Sequence, residues 1–448
     1  MRSTLLLSLA FGLATSSPLE KRQKIEFKSV AAAAESVIAT LPAAALGPTN
    51  VGVVATTQPP ATSAYNLPSA VSKATSSITV ANSPNVSLAP TTIPGNAKSA
   101  AAKRDIEERD ASSAAATTTS CAQYTGKGPV VASTVISDWV KDPILTAAAT
   151  DAPTPTGYVQ AFSNLPGSLQ MMGYLTVKSL DSYDTAKCAD YCNNEPLCMG
   201  FDVYYERDPG ANTTCSLPDK NPPSITFIGC TLYGFHVNGT LATNTGQWRD
   251  NFQVAITASN GYNKIGVKHP DIYNNIPGFY PPVELGNASI DALFWPPAVF
   301  QDKDALGRSK LYTYMGMRSL QQPYDPRVCA SICSQQTATN AAHPDTNADG
   351  TQTYRPCNFF TAYVLAKNDI PVGLQCAFYM LPWNTTYATN TGYYDYPHWP
   401  NQDVSNHYTI YNSLAFTAST FGTDKADFGR NDTLKTAYLA DPNAWQLS

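Results

Sequence analysis

The sequence predicts an α+β protein in which two disulfide-framed modules, each a short helix stapled over a small antiparallel sheet, follow a mostly disordered N-terminal segment. Three observations predict it. A four-cysteine pattern occurs twice in the same order, offset by 141 residues between Cys188 and Cys329. Each copy opens with an aspartate suited to cap a helix, followed by two cysteines four residues apart that share one helical face. The runs that follow are short, aromatic or β-branched and partly alternating, as half-buried strands are.

Residues 1–17 read as a secretory signal peptide: Arg2 supplies a positive charge, Leu5 to Leu13 a short apolar core, and Ala14 to Ser17 small residues. The apolar core is too short to span a bilayer, and no later stretch approaches the roughly 20 apolar residues of a transmembrane helix. The polar end, Asn443 to Ser448, lacks a lipid-anchor tail, so a soluble product without membrane insertion is expected. Residues 18–120 form a propeptide or stalk. Two dibasic pairs, Lys21-Arg22 and Lys103-Arg104, invite cleavage by a Kex-type processing protease; the alternative is ordinary charged pairs in a flexible segment. From Ala31 to Ser120, Ala, Ser, Thr, Pro and Val dominate and cysteine is absent, so too little surface can be buried to offset the entropy of ordering. Some helix is expected near Ser29 to Thr40, where alanines cluster.

The first module is assigned to residues 121–270, the second to 271–425, and 426–448 to a C-terminal tail. The first copy reads Tyr183-Asp184-Thr185-Ala186-Lys187-Cys188 through Cys192, the second Tyr324-Asp325-Pro326-Arg327-Val328-Cys329 through Cys333. Asp184 and Asp325 stand at the helix N-cap, and Pro326 takes the first helical position. Downstream, Cys198 with Phe201 and Tyr204 parallels Cys357 with Phe360 and Tyr363, and Cys230 with Leu232-Tyr233 parallels Cys376 with Phe378-Tyr379. Strands are expected at Phe201 to Glu206, Cys230 to Val237, Phe252 to Ile256 and Cys376 to Met380.

Ten cysteines behind a signal peptide read as disulfides rather than as metal ligands. Six N-glycosylation sequons, at Asn85, Asn212, Asn238, Asn287, Asn384 and Asn431, fit the same compartment. With only 14% charged residues and a net charge of -5 there is no basic surface to neutralise phosphates, which argues against nucleic acid as a partner.

A helix carrying C-x-x-x-C, then C-x-x-F-x-x-Y, then a closing C-x-L/F strand resembles the PAN/apple domain. The region from Cys121 to about Thr420 is similar to fungal secreted proteins with tandem apple-like modules. Carrying the resemblance are Met172-Gly173-Tyr174, Leu180 to Thr185, Tyr205 to Pro209, Gly246-Gln247-Trp248-Arg249 with Phe252-Gln253-Val254, Ser259 to Tyr262, and Ala388 to Gly392. It implies the pairs Cys188 with Cys230, Cys192 with Cys198, Cys329 with Cys376, and Cys333 with Cys357. Cys121 and Cys215 remain, and their pairing would tie the entry of the first module to the turn after Asp208. The second copy departs by an insertion between Cys333 and Cys357, tolerable at the surface because loop-closure cost grows slowly with length.

Candidate chemistry is sparse. Asp345 to Gly350 matches the first half of a calcium loop, but Pro356 stands where a bidentate Glu is required, which favours an ordinary surface loop. Glu206 and Asp208 could form a glycosidase dyad; their place beside Arg207 and before Pro209-Gly210 favours a structural ion pair and turn. The five histidines, His236, His269, His343, His398 and His407, lack metal-ligand spacing, and no common catalytic or nucleotide-binding signature occurs. No cofactor is expected. Tyr387, Tyr393, Tyr394, Tyr396 and Trp399 crowd one turn-rich stretch and are the candidate ligand-binding residues, since flat aromatic faces stack on sugars or partner side chains; structural packing is the alternative.

The expected function is that of a non-catalytic secreted or cell-wall-associated protein whose modules bind cell-wall polysaccharide or an extracellular protein. The alternatives are a structural coat glycoprotein without a discrete ligand site and a secreted enzyme of unrecognised type. Peptide mapping of the unreduced protein is expected to recover a Cys121–Cys215 cross-link; either residue found as a free thiol would refute it.

Overall fold

A computed structural model describes residues 65–76, 78, 92–93, 125–211, 222–266, 270–290, 313–395 and 406–440. In chain order these form helix α1 (Leu67–Thr75), strand β1 (Thr92–Ile93), helices α2 (Ile136–Trp139) and α3 (Pro143–Thr150), strands β2 (Tyr158–Leu165) and β3 (Tyr174–Ser179), and helix α4 (Thr185–Asn194). Strands β4 (Gly200–Pro209), β5 (Ser224–Tyr233), β6 (Gly246–Arg249), β7 (Phe252–Lys264), β8 (Val283–Gly286) and β9 (Tyr314–Leu320) precede helix α5 (Pro326–Ala342). The rest comprises β10 (Asp345–Thr346), β11 (Gln352–Thr353), β12 (Phe359–Lys367), β13 (Ile370–Tyr379), β14 (Gly392–Asp395), β15 (Asn406–Thr417) and helix α6 (Asp432–Ala440). The fold is α+β. Among the described residues, no helix is long and apolar enough to cross a membrane.

Two sheets have the same strand order. The first runs β2-β7-β4-β5-β3 with β6 on β7; the second runs β8-β15-β12-β13-β9 with β14 also on β15, and β1 is added in parallel outside β9. In each, two disulfides fix a helix to the sheet. Cys188–Cys230 ties α4 to β5 and Cys192–Cys198 ties it to the entry of β4; Cys329–Cys376 and Cys333–Cys357 tie α5 to β13 and to the entry of β12. These are the four pairs the sequence resemblance implied. Cys121 and Cys215 lie outside the described residues, as do the signal peptide, Lys21, Arg22, Lys103, Arg104 and the stretch Ser29 to Thr40.

Equivalent residues do equivalent work in the two halves. Tyr183, one residue before the α4 cap, donates its hydroxyl to the Val203 carbonyl at 2.9 Å; Tyr324, one residue before the α5 cap, donates to the Ala362 carbonyl at 3.0 Å. Phe201 stacks on Tyr262 and Phe360 on Phe416, with ring centroids 5.1 and 4.7 Å apart, so an aromatic pair bridges the two central strands in both sheets. Gly246 and Gly392 open β6 and β14 at φ of 116° and 120°. A Cβ there would sit 2.1 Å from the Val254 carbonyl oxygen or 2.0 Å from that of Tyr408, so both the backbone angle and the close approach require glycine.

The buried apolar residues of the two halves form one continuous core. At the junction the His236 ring stacks flat on Tyr411 at 5.3 Å, Tyr324 donates its N–H to the Gly234 carbonyl, and the Asn412 amide reaches the Met199 sulfur.

Three features differ from the sequence expectation. Strand β5 ends at Tyr233 instead of continuing to Val237: the Gly234 N–H makes a last bond to the Gly173 carbonyl at 2.7 Å, the chain bends, and the Val237 N–H goes to the Asn263 side chain. Residues 426–440, set apart as a tail, pack back on the second half: Phe428 and Tyr438 close on Phe421, and Asn358 donates to the Asp427 carbonyl at 2.6 Å. The N-terminal segment, expected to be mostly disordered, contributes α1 and β1. Leu67, Ala70, Val71 and Ala74 fall three and four residues apart and make an apolar stripe that lies against the core, with Ala74 1% exposed. Asn66 caps the helix by accepting from the Ser69 N–H, and Pro68 fits its first turn.

Chain-entropy reasoning assigns about 4 kcal/mol to Cys188–Cys230, which closes 42 residues, and about 2 kcal/mol to Cys192–Cys198, which closes six. Replacing the first pair by serines is therefore expected to lower the denaturant midpoint more than replacing the second; equal losses would show that native packing, not loop closure, sets the difference.

Candidate functional site

The two capped helices begin in different surroundings. Asp184 accepts the Lys187 N–H at 2.8 Å and is exposed. Asp325 accepts the Arg327 N–H at 3.1 Å in the same role but is fully buried. What covers it is partly the second half itself, through Tyr273 and Tyr324, whose rings meet edge to face, and partly Tyr65 from the N-terminal segment.

The polar geometry around Asp325 is nearly saturated. Arg327 reaches back to make a two-point pair, Nε to Oδ1 and Nη2 to Oδ2, both at 2.8 Å. The Tyr65 hydroxyl donates to Oδ2 at 3.0 Å, while the Tyr65 backbone N–H donates to the Leu175 carbonyl on β3 of the first half. One residue thus contacts both halves, by its backbone on one side and its side chain on the other. Burial first, then the Asp325 charge, pushes the Tyr65 phenol well above its ordinary range, so it remains a donor. Behind Tyr65, α1 lies along α5. The contacts that this N-terminal stretch makes are a phenol donor, a backbone N–H and an apolar helix stripe.

The first sheet has its own buried carboxylate. Asp202, fully buried on β4, accepts the Leu169 N–H at 2.9 Å and the Ser259 hydroxyl at 2.5 Å. Ser259 is also fully buried, and Tyr233 donates to the Leu169 carbonyl. The network fastens the strand-free stretch around Leu169 to the sheet. Thr361 takes the Asp202 position in the second sheet, where it faces Ser289 at 3.4 Å.

The residues singled out from sequence are scattered. Tyr387 is half-buried and meets Trp383 edge to face at 5.0 Å, which is packing; Tyr393 and Tyr394 lie on β14; Tyr396 and Trp399 fall outside the described residues. Glu206 and Asp208 are both buried, and their cation is Arg249, at 3.7 and 3.2 Å, not Arg207 between them. Strand alternation explains this: positions 206 and 208 share a face, while Arg207 points away, donating to the Gln253 carbonyl and lying over the Phe252 ring. Asp345 to Gly350 belong to the hairpin of β10 and β11, in which Asp349 accepts from Thr351. Among the described residues no cluster of metal-ligating side chains occurs. His236 is stacked at the junction and burial lowers its basicity, His343 contacts the Thr339 carbonyl, His407 pairs within the second sheet, and His269 and His398 lie outside the described residues.

Of the sequon asparagines, Asn238 and Asn384 occupy matching positions, each capping a short 3₁₀ turn through Oδ1, and Asn431 caps α6 by accepting from the Leu434 N–H. Asn287 is exposed after β8, and Asn85 and Asn212 lie outside the described residues. Sequence reasoning missed Tyr65, Asp325 and Arg327 as a unit. The signal was present in Asn66-Leu67-Pro68, a cap followed by proline, and in the apolar stripe after it.

No protein family, curated protein or solved structure matches this chain.

Burial pushes the Asp202 carboxyl up to about 7, against the opposing hydrogen bonds from Ser259 and Leu169. Between about pH 4 and pH 7 the folded chain therefore holds a proton that the unfolded chain has lost, and this group's contribution to stability falls as pH rises through that window. Thermal melts of wild type and Asp202→Asn from pH 4 to pH 8 should differ in slope, the wild type losing more stability with rising pH; parallel curves would refute the assignment.

Proposed function

We propose that this chain is a non-catalytic, secreted binding protein built from two apple-like modules, and that its ligand is polypeptide, taken at the junction between them. The observation that carries the reading is Tyr65: a residue 260 positions from Asp325 in sequence donates its hydroxyl to that carboxylate and its N–H to Leu175 of the other half. A carboxylate held by a two-point arginine presents its remaining lone pairs in fixed directions, which favours a planar phenol donor over the many hydroxyls of a sugar. Buried carboxylates elsewhere are tied up structurally, Asp202 by Leu169 and Ser259, and Glu206 and Asp208 by Arg249, which supports binding over turnover. Disulfides and matching sequons at Asn238 and Asn384 support an extracellular glycoprotein. The covered cap at Asp325 supports a larger share of the binding surface in the second module, where the cap of the first, Asp184, is exposed.

A labelled peptide of residues 65–80 tests this by fluorescence anisotropy. The full-length wild type, whose junction is filled, should take up little, and a full-length Tyr65→Ala, Ala74→Glu variant should bind with a Kd on the order of micromolar. A variant that ignores the peptide but is retained on chitin, glucan or mannan would overturn the polypeptide reading in favour of carbohydrate.

A further inference from the structure

Through residues 65–76, 78 and 92–93 the N-terminal segment touches both halves, in each at the last strand of the shared order. In each sheet the last strand of the shared order, β3 in the first and β9 in the second, is an edge. Such an edge presents unpaired N–H and C=O groups that readily accept another strand. The N-terminal segment meets both: Tyr65 donates its N–H to Leu175 on β3, and Thr92–Ile93 pairs in parallel with Ser319 and Leu320 on β9. Between these contacts α1 docks on α5 by its apolar stripe, with Ala74 1% exposed, and Ile78 also packs against the core. The attachment therefore has four parts of different chemistry: a phenol on a buried carboxylate, a backbone bond to one edge, a helix face, and a short strand on the other edge.

A covalently linked segment needs little affinity to stay in place, because its effective concentration is of millimolar order. These four anchors, two of them from Tyr65, exceed that requirement. The sequence between Ile93 and the first helix of the first half also contains Lys103-Arg104, a processing pair. We propose that residues 65–76, 78 and 92–93 belong to a fragment that the mature protein retains: when the chain is hydrolysed after Arg104, these residues stay non-covalently bound at β3, β9 and the Asp325 slot. This rests on the reading of the junction as a polypeptide site. The occupant is the chain's own segment, which takes the Leu175 carbonyl on β3 and the Ser319–Leu320 end of β9.

The test is a full-length protein carrying a site for a sequence-specific protease between Arg104 and Asp105, cut while folded and then passed over a sizing column. Denaturing gels of the main peak should show both fragments in equal amount, with the protein still monomeric. Introducing Tyr65→Ala with Ala74→Glu in the same cleavable chain should speed loss of the small fragment roughly tenfold or more, as removal of two buried contacts from a docked segment does. Prompt separation of the wild-type fragments, or a precipitate of the large fragment that leaves the small one in solution, overturns retention. If separated material then rebinds a peptide of residues 65–93, the junction remains a polypeptide site and only retention has failed. If it does not, both readings fall.

Discussion

The whole architecture depends on a helix held to a sheet at two points one turn apart. Cysteines at positions i and i+4 lie on one face, and in both halves the first is joined to the strand after the central one while the second is joined to the entry of the central strand. Two attachments fix the rotation of the helix as well as its position. The residue before each cap is thereby aimed at the same backbone carbonyl, as Tyr183 and Tyr324 are, and the central aromatic pairs form beneath. With the frame set covalently, the loops can diverge, and they do: Cys198 follows Cys192 by six positions and Cys357 follows Cys333 by 24, and the longer stretch is absorbed by extending α5 and adding the β10–β11 hairpin.

The divergence that matters most is at the helix caps. Asp184 and Asp325 have the same local job, yet one faces solvent and the other is buried beneath Tyr65 and Tyr273. Burying a carboxylate is costly unless it is paired and fully bonded. Arg327, two residues further on, supplies the pair, and the corresponding position in the first half is Ala186. The second half is therefore equipped for a covered cap and the first is not.

Much of this was legible in the sequence, and the boundary is physical. The caps, the stapled helices and the aromatic strands are written in residue types at fixed local spacing, which is why Asp325, Cys329 and Cys333 announced a helix. The candidate site was not. It joins Tyr65 to Asp325 and Leu175, and no local period relates positions so far apart. Composition concealed the rest: in a stretch dominated by Ala, Ser and Thr, the stripe Leu67, Ala70, Val71 and Ala74 is diluted by its neighbours, although its cap and proline mark a helix start. The ion partner of Glu206 and Asp208 was misjudged for a similar reason, since sequence adjacency favoured Arg207 and strand alternation selected Arg249.

The stacking of His236 on Tyr411, with the Tyr324 to Gly234 bond beside it, has a further meaning for a doubled chain. Duplicated domains usually keep separate interiors and can be shuffled or lost one at a time. Here the interior runs through the seam, so either half alone would expose an apolar wall to water. A shared interior ties each half to the other, since neither can be removed without uncovering the apolar face that its neighbour shields.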